Sequence, residues 1–496
     1  MIKPQKLYLI SAFLCGLAVM AVEMSASRLL APYFGNSLYV WTNVIGLVMT
    51  ALAVGYYLGG KIADLRPNAN LYFLLILVTG AWILFIPFVA GLILPILSTG
   101  FSNLYTVTLA GSFISVFVLF IVPLLLLGMI VPFTVKLYVH DLPTLGSASG
   151  TISTISTIGS LVGTFLPAFV LIPFLGTMRT FIFLGILLIL LSALGLKNKW
   201  LLVFGVVASL LFFLTPKVFA GESLIASDES PYGFISVTED AVGIRRLHVE
   251  NQIGTQSIYD PNDSLVSDRY YYGYFAVLPA MIEDPKNILI LGHAGGTFTR
   301  LYNEYYPGLS VTGVEIDPAV TRMSKEYMGL SDLVVNIVHA DARTYVLNSD
   351  EKYDLILVDA YHSASIPAHL ATNEFFDLCK NLLNEGGILA VNVASSESEF
   401  LSIFENSLAQ SFSNILSVQI PSSFNTMLVA SSSYGFSFDN VPHGLMERAE
   451  YIEKNRISVA YDSALPIFTD DKLSQVELLN EDMFFKLLQT QEVHYN

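Results

Sequence analysis

Long apolar segments fill the first 220 residues of the chain. A helix needs roughly 20 apolar residues to cross a bilayer, and most of these segments reach or exceed that length. They lie at 7–30, 40–60, 71–97, 107–132, 151–175, 180–196 and 200–216. The run 147–165 is rich in Gly, Ser and Thr, which favours close helix packing. The pattern predicts a polytopic α-helical membrane domain over residues 1–220 with about seven spans.

The rest of the chain alternates with the periods of strands and helices. Residues 221–280 contain short alternating runs such as GFISVTE and QSIYD between turn residues, which predicts a small β-hairpin module. From Lys286 onward, apolar runs of strand length alternate with helical stretches, the pattern of a doubly wound α/β sheet. We therefore expect a Rossmann-like α/β domain over residues 281–496, preceded by the hairpin module.

Charge separates the same two halves. The first 220 residues hold three of the 41 acidic residues and ten of the 25 Lys and Arg residues, so the second half is strongly acidic. That acidity argues against a nucleic-acid partner, because phosphate contacts need clustered basic side chains.

The basic residues of the first half also predict an orientation. Most of them fall on one side of the membrane if the amino terminus is cytoplasmic, as the positive-inside rule favours. An odd number of spans would then place the acidic half outside, whereas a cytosolic cofactor requires it inside. We give precedence to the cofactor and expect a multi-pass protein of the bacterial inner membrane with a cytoplasmic soluble domain.

Acidic residues follow successive predicted strands after a glycine-bearing turn. The turn 292–296 (GHAGG) follows the first strand, and Glu315, Asp341 and Asp359 stand at the ends of the next three. The carboxyl ends of parallel strands meet at the crevice where open α/β sheets bind ligands. Glu315 suits two ribose hydroxyls because a carboxylate offers two acceptor oxygens. Asp341 suits the amino group of adenine.

The turn also limits the class of cofactor. It contains no Lys or Arg and is not followed by the GK[ST] sequence of a P-loop. We therefore expect a nucleoside without phosphates, which indicates S-adenosylmethionine or its decarboxylated form. The two cysteines, Cys15 and Cys379, have no metal or redox spacing, and no metal is expected.

Several motifs resemble the spermidine synthase family of aminopropyltransferases. In the second half they are SPYGFISV (230–237), the hairpin with Gln256, LGHAGG (291–296), VEID (314–317), HADAR (339–343), VDA (358–360) and IPAHLATNEF (366–375). The apolar half, with APYFGNSLYVWTNVIGLVMTALAVGYYLGGKIADLRP and GSLVGTFLPAFVLIPFLGT, resembles the form of the family that is fused to a membrane domain, as does the late FTDD (468–471).

The resemblance implies a fold like that of S-adenosylmethionine-dependent methyltransferases and a nucleophilic displacement. An amine attacks the propyl carbon next to the sulfonium of decarboxylated S-adenosylmethionine, and Asp359 orients and deprotonates that amine. The residues implied to bind the donor are Gly292, Gly295, Glu315, Asp341 and Ala342. Those implied to line the amine side are Gln256, Tyr271 (with Tyr272 as the adjacent alternative) and His362.

Two acids of the family pattern are missing. The Asp of the usual GGGDGG loop is replaced by His293 or Ala294, and the second acid of the DSxD sequence is replaced by His362. Loss of the first removes repulsion toward a carboxylated donor, so intact S-adenosylmethionine becomes equally acceptable. Loss of the second weakens binding of a diamine. His362 is either a base or an exposed loop residue, and His293 is a filler rather than a catalyst.

Three functions remain open at this point. The first is a membrane-anchored aminopropyltransferase of polyamine biosynthesis. The second is a transferase that moves a methyl or aminocarboxypropyl group from intact S-adenosylmethionine to a membrane or lipid amine. The third is a transporter or sensor regulated by an adenosyl ligand, which would not need Asp359. The expected partners are a small amine and the lipid bilayer, and the family's soluble dimers and tetramers allow a homodimer.

Overall fold

The computed structural model describes residues 4–35, 38–99, 107–139, 145–208, 210, 224–250, 255–261, 270–361, 366–395, 398–421, 423–433, 436–477 and 479. The chain forms two compact units. The first comprises Met1–Ala220 and Glu229–Phe234, and the second comprises Gly221–Asp228 and Ile235–Asn496.

The first unit is a bundle of long apolar helices. Its helices are α1 (Pro4–Phe34), α2 (Leu38–Leu65), α3 (Ala69–Thr99), α4 (Ser112–Tyr138), α5 (Leu145–Leu166), α6 (Thr177–Leu196) and α7 (Lys199–Ala208). Helix α4 is preceded by a π-helical turn, Val107–Gly111, and α5 continues through another, Pro167–Leu171, into Ile172–Leu175. Six helical segments of the described chain are long and apolar enough to cross a membrane. The predicted seventh span corresponds to α7 and to residues outside the described ones, so its existence stays a prediction.

Glycines bring α1 and α5 into close contact, as the Gly/Ser/Thr-rich run predicted. A Cβ added to Gly159 would lie 2.0 Å from the Phe13 carbonyl oxygen, and one added to Gly163 would lie 2.1 Å from that of Leu17. On the facing helix, a Cβ on Gly16 would lie 2.2 Å from the Ser156 carbonyl oxygen. Small residues allow two helix backbones to approach in this way.

The second unit contains two sheets. The smaller has the order β1-β2-β3-β4, formed by Leu224–Glu229, Phe234–Glu239, Arg245–Val249 and Ser257–Tyr259. The larger has the order β12-β10-β11-β9-β8-β5-β6-β7. Its strands are β5 (Asn287–Leu291), β6 (Ser310–Glu315), β7 (Asn336–His339), β8 (Tyr353–Val358), β9 (Leu383–Val393), β10 (Asn414–Gln419), β11 (Thr426–Ser431) and β12 (Ile457–Val459).

The larger sheet is mixed. Strands β7, β6, β5, β8 and β9 are parallel, and β11, β10 and β12 extend the sheet with antiparallel pairs. The chain runs outward from β5 to β7 and then returns to place β8 on the other side of β5. The crevice between the carboxyl ends of β5 and β8 is therefore the topological switch point, where such sheets bind ligands. The predicted Rossmann-like fold is confirmed, with an antiparallel extension that the sequence did not indicate.

Helices cover both faces of the larger sheet. They are α8 (Tyr272–Phe275), α9 (Thr297–Tyr305), α10 (Pro318–Tyr327), α11 (Ala342–Asn348), α12 (Asn373–Leu382), α13 (Glu399–Ser411) and α14 (Met446–Asn455). One core joins the sheet to Phe376 and Phe404 of α12 and α13, and another joins it to Phe298 of α9 and Ile452 of α14. Burial of these large apolar side chains is the main term that holds the layers together.

Glycine is required directly after β5. Gly292 has a φ of +89°, and a Cβ added there would lie 2.4 Å from the Asp359 carbonyl oxygen. Gly308 has a comparable φ of +109° with nothing within 4 Å of an added Cβ, which makes it a matched control.

We predict that Gly292→Ala destabilises the second unit more than Gly308→Ala does. Both should lose about 1–2 kcal/mol through the left-handed backbone, and Gly292→Ala a further 1–3 kcal/mol through overlap. Calorimetric unfolding of the detergent-solubilised protein measures the difference. Fluorescence of Trp41, Trp82 and Trp200 reports separately on the first unit. Equal destabilisation by the two substitutions would contradict the close approach of the strand ends.

Candidate active site

The candidate site lies where the chain leaves β5 and β8. Gly292 directly follows β5, and Asp359 directly follows β8. The two segments are tied together because the Asp359 backbone N–H donates a hydrogen bond to the Leu291 carbonyl oxygen at 2.9 Å. The glycine turn and Asp359 are therefore immediate neighbours at this edge of the sheet.

The glycine turn uses its backbone N–H groups to hold its surroundings. Ala294 adopts a φ of +46°, and its N–H donates to Glu315 Oε2 at 2.9 Å. The N–H of Gly295 donates to Ser257 Oγ at 2.8 Å, and a Cβ on Gly295 would lie 2.6 Å from the Ser257 Cβ. The turn therefore connects the end of β6 with strand β4 of the smaller sheet.

Glu315 ends β6 and is buried. Its Oε1 accepts the backbone N–H of Asp317 at 3.0 Å, while its Oε2 accepts that of Ala294. Burial raises the pKa of Glu315 to about 7, although these backbone hydrogen bonds lower it. Each carboxylate oxygen has two lone pairs, so each can accept one further hydrogen bond from a ligand.

Asp341 caps the amino terminus of α11. Its Oδ1 accepts from the backbone N–H and the hydroxyl of Thr344, at 2.9 and 3.0 Å, and its Oδ2 lies 3.0 Å from His369 Nε2. Burial on its own raises the pKa of Asp341, but hydrogen bonds from Thr344 and His369 lower it below its ordinary value. Ala342 is the buried first residue of the helix. Only Oδ2 of Asp341 retains capacity for a ligand donor.

Asp359 is held through both of its carboxylate oxygens. Asn392 Nδ2 donates to Oδ1 at 2.7 Å, and the Tyr271 hydroxyl donates to Oδ2 at 3.3 Å. Burial raises the pKa of Asp359 to about 7, although the hydrogen bonds from Asn392 and Tyr271 lower it. A carboxyl group with such a pKa is poised to gain or lose a proton near neutral pH.

The two candidate tyrosines occupy different positions. Tyr271 immediately precedes α8 and reaches Asp359, whereas Tyr272 is fully buried with its ring against Phe298. Their ring centroids are 4.1 Å apart. Burial and the neighbouring Asp359 raise the pKa of Tyr271 well above its usual value, so the phenol remains a neutral donor.

Gln256 and His362 are the other two residues predicted for the amine side. The backbone N–H of Gln256 donates to the Leu247 carbonyl oxygen at 2.8 Å, which places Gln256 beside Ser257 in the connection from β3 to β4. His362 lies outside the described residues.

His293 fills space behind the turn, the role that the sequence favoured. It is buried, its Nε2 lies 2.9 Å from Thr299 Oγ1, and its ring occupies the position that a side chain on Gly313 would take. Burial lowers the pKa of His293 to about 4, so the imidazole is neutral at physiological pH.

Sequence reasoning missed two amides next to Asp359, the buried Asn392 and the half-buried Asn425. Asn392 is the penultimate residue of strand β9, within its apolar run, and Asn425 Nδ2 donates to Asn392 Oδ1 at 2.8 Å. A buried polar residue within an apolar strand signals a hydrogen-bonding requirement, so Asn392 could have been found from the sequence. His369, which contacts Asp341, and Ser257, which contacts Gly295, had no comparable signal.

The FTDD and HADAR motifs meet through an ion pair. Arg343 forms a two-pronged pair with Asp470, and Thr372 Oγ1 donates to Asp470 Oδ1 at 2.8 Å. Arg343 Nη1 also donates to the His369 carbonyl oxygen at 2.9 Å. These contacts fix the segment that carries His369, and thereby the second donor to Asp341.

The raised pKa of Asp359 predicts that its carboxylate destabilises the folded second unit above neutral pH. The unfolded pKa is about 3.9, so the folded state keeps a proton between about pH 4 and 7 that the unfolded chain releases. Stability falls as pH rises through that window. Asp359→Asn should therefore raise the melting temperature most at pH 8, above the whole window, and by less at pH 5, where only the first part of the window has been crossed. Each kcal/mol of stability corresponds to about 2–4 °C in melting temperature.

Asp354 at the opposite end of β8 supplies the control. Burial on its own raises the pKa of Asp354, but hydrogen bonds from Asn287, Asn384 and Lys286 lower it. Asp354→Asn should thus lower the melting temperature at pH 8, the opposite sign. Identical pH dependence of the two variants would contradict the environments described.

Comparison with known proteins gives a consistent set of relatives. The spermine/spermidine synthase domain matches residues 270–435. A protein of Bifidobacterium longum named probable polyamine aminopropyl transferase is 30% identical over 46% of this chain and 51% of its own length. A polyamine aminopropyltransferase of Chromobacterium violaceum is 30% identical over 35% of this chain and 67% of its own length.

A longer match reaches the first unit. Polyamine aminopropyltransferase 1 of Streptomyces coelicolor is 25% identical over 428 residues, which are 78% of this chain and 76% of that protein. The chain spans about half the length of several curated relatives, the Bifidobacterium protein among them. From the domain match and these relatives, the chain belongs to the spermine/spermidine synthase family.

Proposed function

We propose that the protein is an aminopropyltransferase that moves an aminopropyl group from decarboxylated S-adenosylmethionine to a small amine. The observation that carries the proposal is the half-buried carboxylate of Asp359 at the switch point of the sheet, hydrogen-bonded by Tyr271 and Asn392. The relatives named polyamine aminopropyltransferase support the same reaction.

The residues around the glycine turn suit an adenosyl donor. Glu315 would accept the two ribose hydroxyls, because each of its oxygens already holds one backbone N–H and keeps one lone pair. Asp341 would accept the adenine amino group through Oδ2, the oxygen that faces His369. Gly292, Gly295 and Ala342 would allow the backbone to approach the nucleoside.

The donor supplies an electrophilic carbon next to a sulfonium. The amine nitrogen forms the new N–C bond with its lone pair, the C–S bond breaks, and its electron pair stays on sulfur as methylthioadenosine departs. The attacking nitrogen must then lose one proton, and we assign that proton to Asp359. A pKa of about 7 leaves Asp359 substantially ionised at neutral pH and still basic enough to accept it.

One feature of the glycine turn favours a second candidate for the group donor. Its residues His293 and Ala294 stand where the family pattern has an acid, and His293 is buried and neutral. Without that acid the turn does not repel a carboxylate. Intact S-adenosylmethionine is therefore the alternative donor, with methyl or aminocarboxypropyl transfer to a membrane or lipid amine.

We further propose that the first unit anchors the enzyme in the bacterial inner membrane with the second unit in the cytoplasm. Six described helices have the length and apolarity of membrane spans. The placement of basic residues favours a cytoplasmic amino terminus, and the adenosyl donor is a cytosolic metabolite.

The separate roles proposed for Asp359 in proton transfer and for Glu315 in nucleoside binding are testable with two isosteric variants. Asp359→Asn should lower kcat by about 10²–10⁴-fold, because it removes the proton acceptor, while affinity for methylthioadenosine stays within about threefold. Glu315→Gln should weaken methylthioadenosine binding by about 10–100-fold, because it removes a charged acceptor. Glu385→Gln, an exposed change, is the control. Full turnover by Asp359→Asn would refute the assigned role.

The donor is decided by calorimetry of the purified protein with intact and with decarboxylated S-adenosylmethionine. The aminopropyl proposal predicts heat of binding for the decarboxylated form and methylthioadenosine release when putrescine is added. A strong preference for the intact form, with no methylthioadenosine release, would replace it with the alternative.

A further inference from the structure

A chain of oriented amides lies behind Asp359. Asn392 is 2% exposed near the end of β9, and its Nδ2 donates to Asp359 Oδ1 at 2.7 Å. Asn425, in the connection from β10 to β11, donates through its own Nδ2 to Asn392 Oδ1 at 2.8 Å. Ser423 in turn donates its hydroxyl to Asn425 Oδ1. Three side chains, one from β9 and two from the connection between β10 and β11, thus form a series of hydrogen bonds that ends at one carboxylate.

The direction of this chain is fixed by its chemistry. An ionised carboxylate only accepts hydrogen bonds, so the amide group that faces Asp359 must present its nitrogen. That orientation leaves the oxygen of Asn392 toward Asn425, which meets it with a nitrogen. Aligned donors polarise one another, and the effect is stronger in a buried environment than in water.

The backbone of Asn392 is held as well. The Tyr361 hydroxyl donates to the Asn392 carbonyl oxygen at 2.8 Å and accepts the backbone N–H of Ala394 at 2.8 Å. Tyr361 lies two residues after Asp359. One short segment therefore carries both the carboxylate and the hydroxyl that holds the backbone of Asn392 in place.

The two oxygens of Asp359 are held unequally. Oδ1 has the short hydrogen bond from Asn392, at 2.7 Å, whereas Oδ2 has the longer one from Tyr271, at 3.3 Å. The better-held oxygen is the one that contacts the buried amide of Asn392. The other is the oxygen more readily available to an amine.

We propose that Asn392, oriented by Asn425, is a positioning residue for the transfer step: it holds Oδ1 of Asp359, keeps the carboxylate ionised and leaves Oδ2 to accept the proton of the amine. This inference rests on the aminopropyl transfer proposed above.

The charges around Asp359 determine how much the Asn392 amide contributes to ionisation of that carboxyl group. Among the described residues, the titratable groups whose charge acts on Asp359 are the phenols of Tyr271, Tyr272, Tyr302 and Tyr361. These phenols are neutral at physiological pH because burial raises their pKa values. Stabilisation of the anion therefore comes from neutral donors, and Asn392 supplies the shortest of these bonds.

The test is the pH profile of kcat for Asn392→Leu, a near-isosteric change that removes the donor. With decarboxylated S-adenosylmethionine and putrescine as substrates for every variant, ionisation of the amine is common to all profiles. The acid limb should move upward by about one to two pH units. The rate at pH 7 should therefore fall several-fold or more and recover as pH rises. Asn425→Leu keeps the Asn392 amide but removes the hydrogen bond that orients it. This variant should shift the acid limb in the same direction as Asn392→Leu, by a smaller amount.

A matched control separates a specific effect on Asp359 from a general loss of stability caused by removing an amide. Asn373 Nδ2 donates to Ser411 Oγ at 2.8 Å, away from the site, so Asn373→Leu should keep the wild-type acid limb. A loss of rate that is equal at every pH, or an unshifted limb in Asn392→Leu, would overturn the inference. If Asn392→Leu does not fold, as judged by methylthioadenosine binding, the limb of Asn425→Leu decides in the same way. Absence of transfer by the wild-type protein at any pH would instead refute the proposed function.

Discussion

Partial burial of the Asp359 carboxylate is the constraint on which the rest of the site depends. A carboxylate removed from water is costly unless hydrogen bonds replace its hydration. Here the replacement comes from Asn392 on a neighbouring strand and from Tyr271 before α8. The glycine after β5 is required by the same geometry, because any side chain there would overlap the Asp359 carbonyl. The sheet edge therefore accommodates a charged group that its apolar core would otherwise exclude.

The acids of the crevice are differentiated by their surroundings. Burial raises the pKa values of Glu315 and Asp359 to about 7, whereas hydrogen bonds from Thr344 and His369 keep that of Asp341 low. Groups whose environments separate their pKa values can take separate roles. Asp341 is suited to a permanent anionic acceptor, and Asp359 to one that exchanges a proton. Glu315 can recover its charge by accepting hydrogen bonds from ligand hydroxyls in place of lost water.

The sequence allowed the fold and the three acids to be predicted because both follow from local patterns. Apolar runs of strand length fixed β5 to β8, and the acids directly follow strands whose carboxyl ends must share one edge. Asn425 could not be predicted, because its contact with Asn392 depends on the register that pairs β9 with β11. The choice between Tyr271 and Tyr272 also required the structure, since adjacent residues at the start of a short helix point in different directions. Neither the antiparallel extension of the sheet nor the His369 contact has a sequence motif of its own.

The most direct test of the account is infrared difference spectroscopy of the carboxyl groups as a function of pH. Asp359→Asn serves as the reference, so that the difference between the two proteins isolates this one group from Glu315. The account predicts a protonated carboxylic acid band, present in the wild-type protein and absent from the reference, that disappears as pH rises through about 7. A band that disappears near pH 4, the ordinary range of an exposed aspartate, would contradict the assignment of Asp359 as a proton acceptor with a raised pKa.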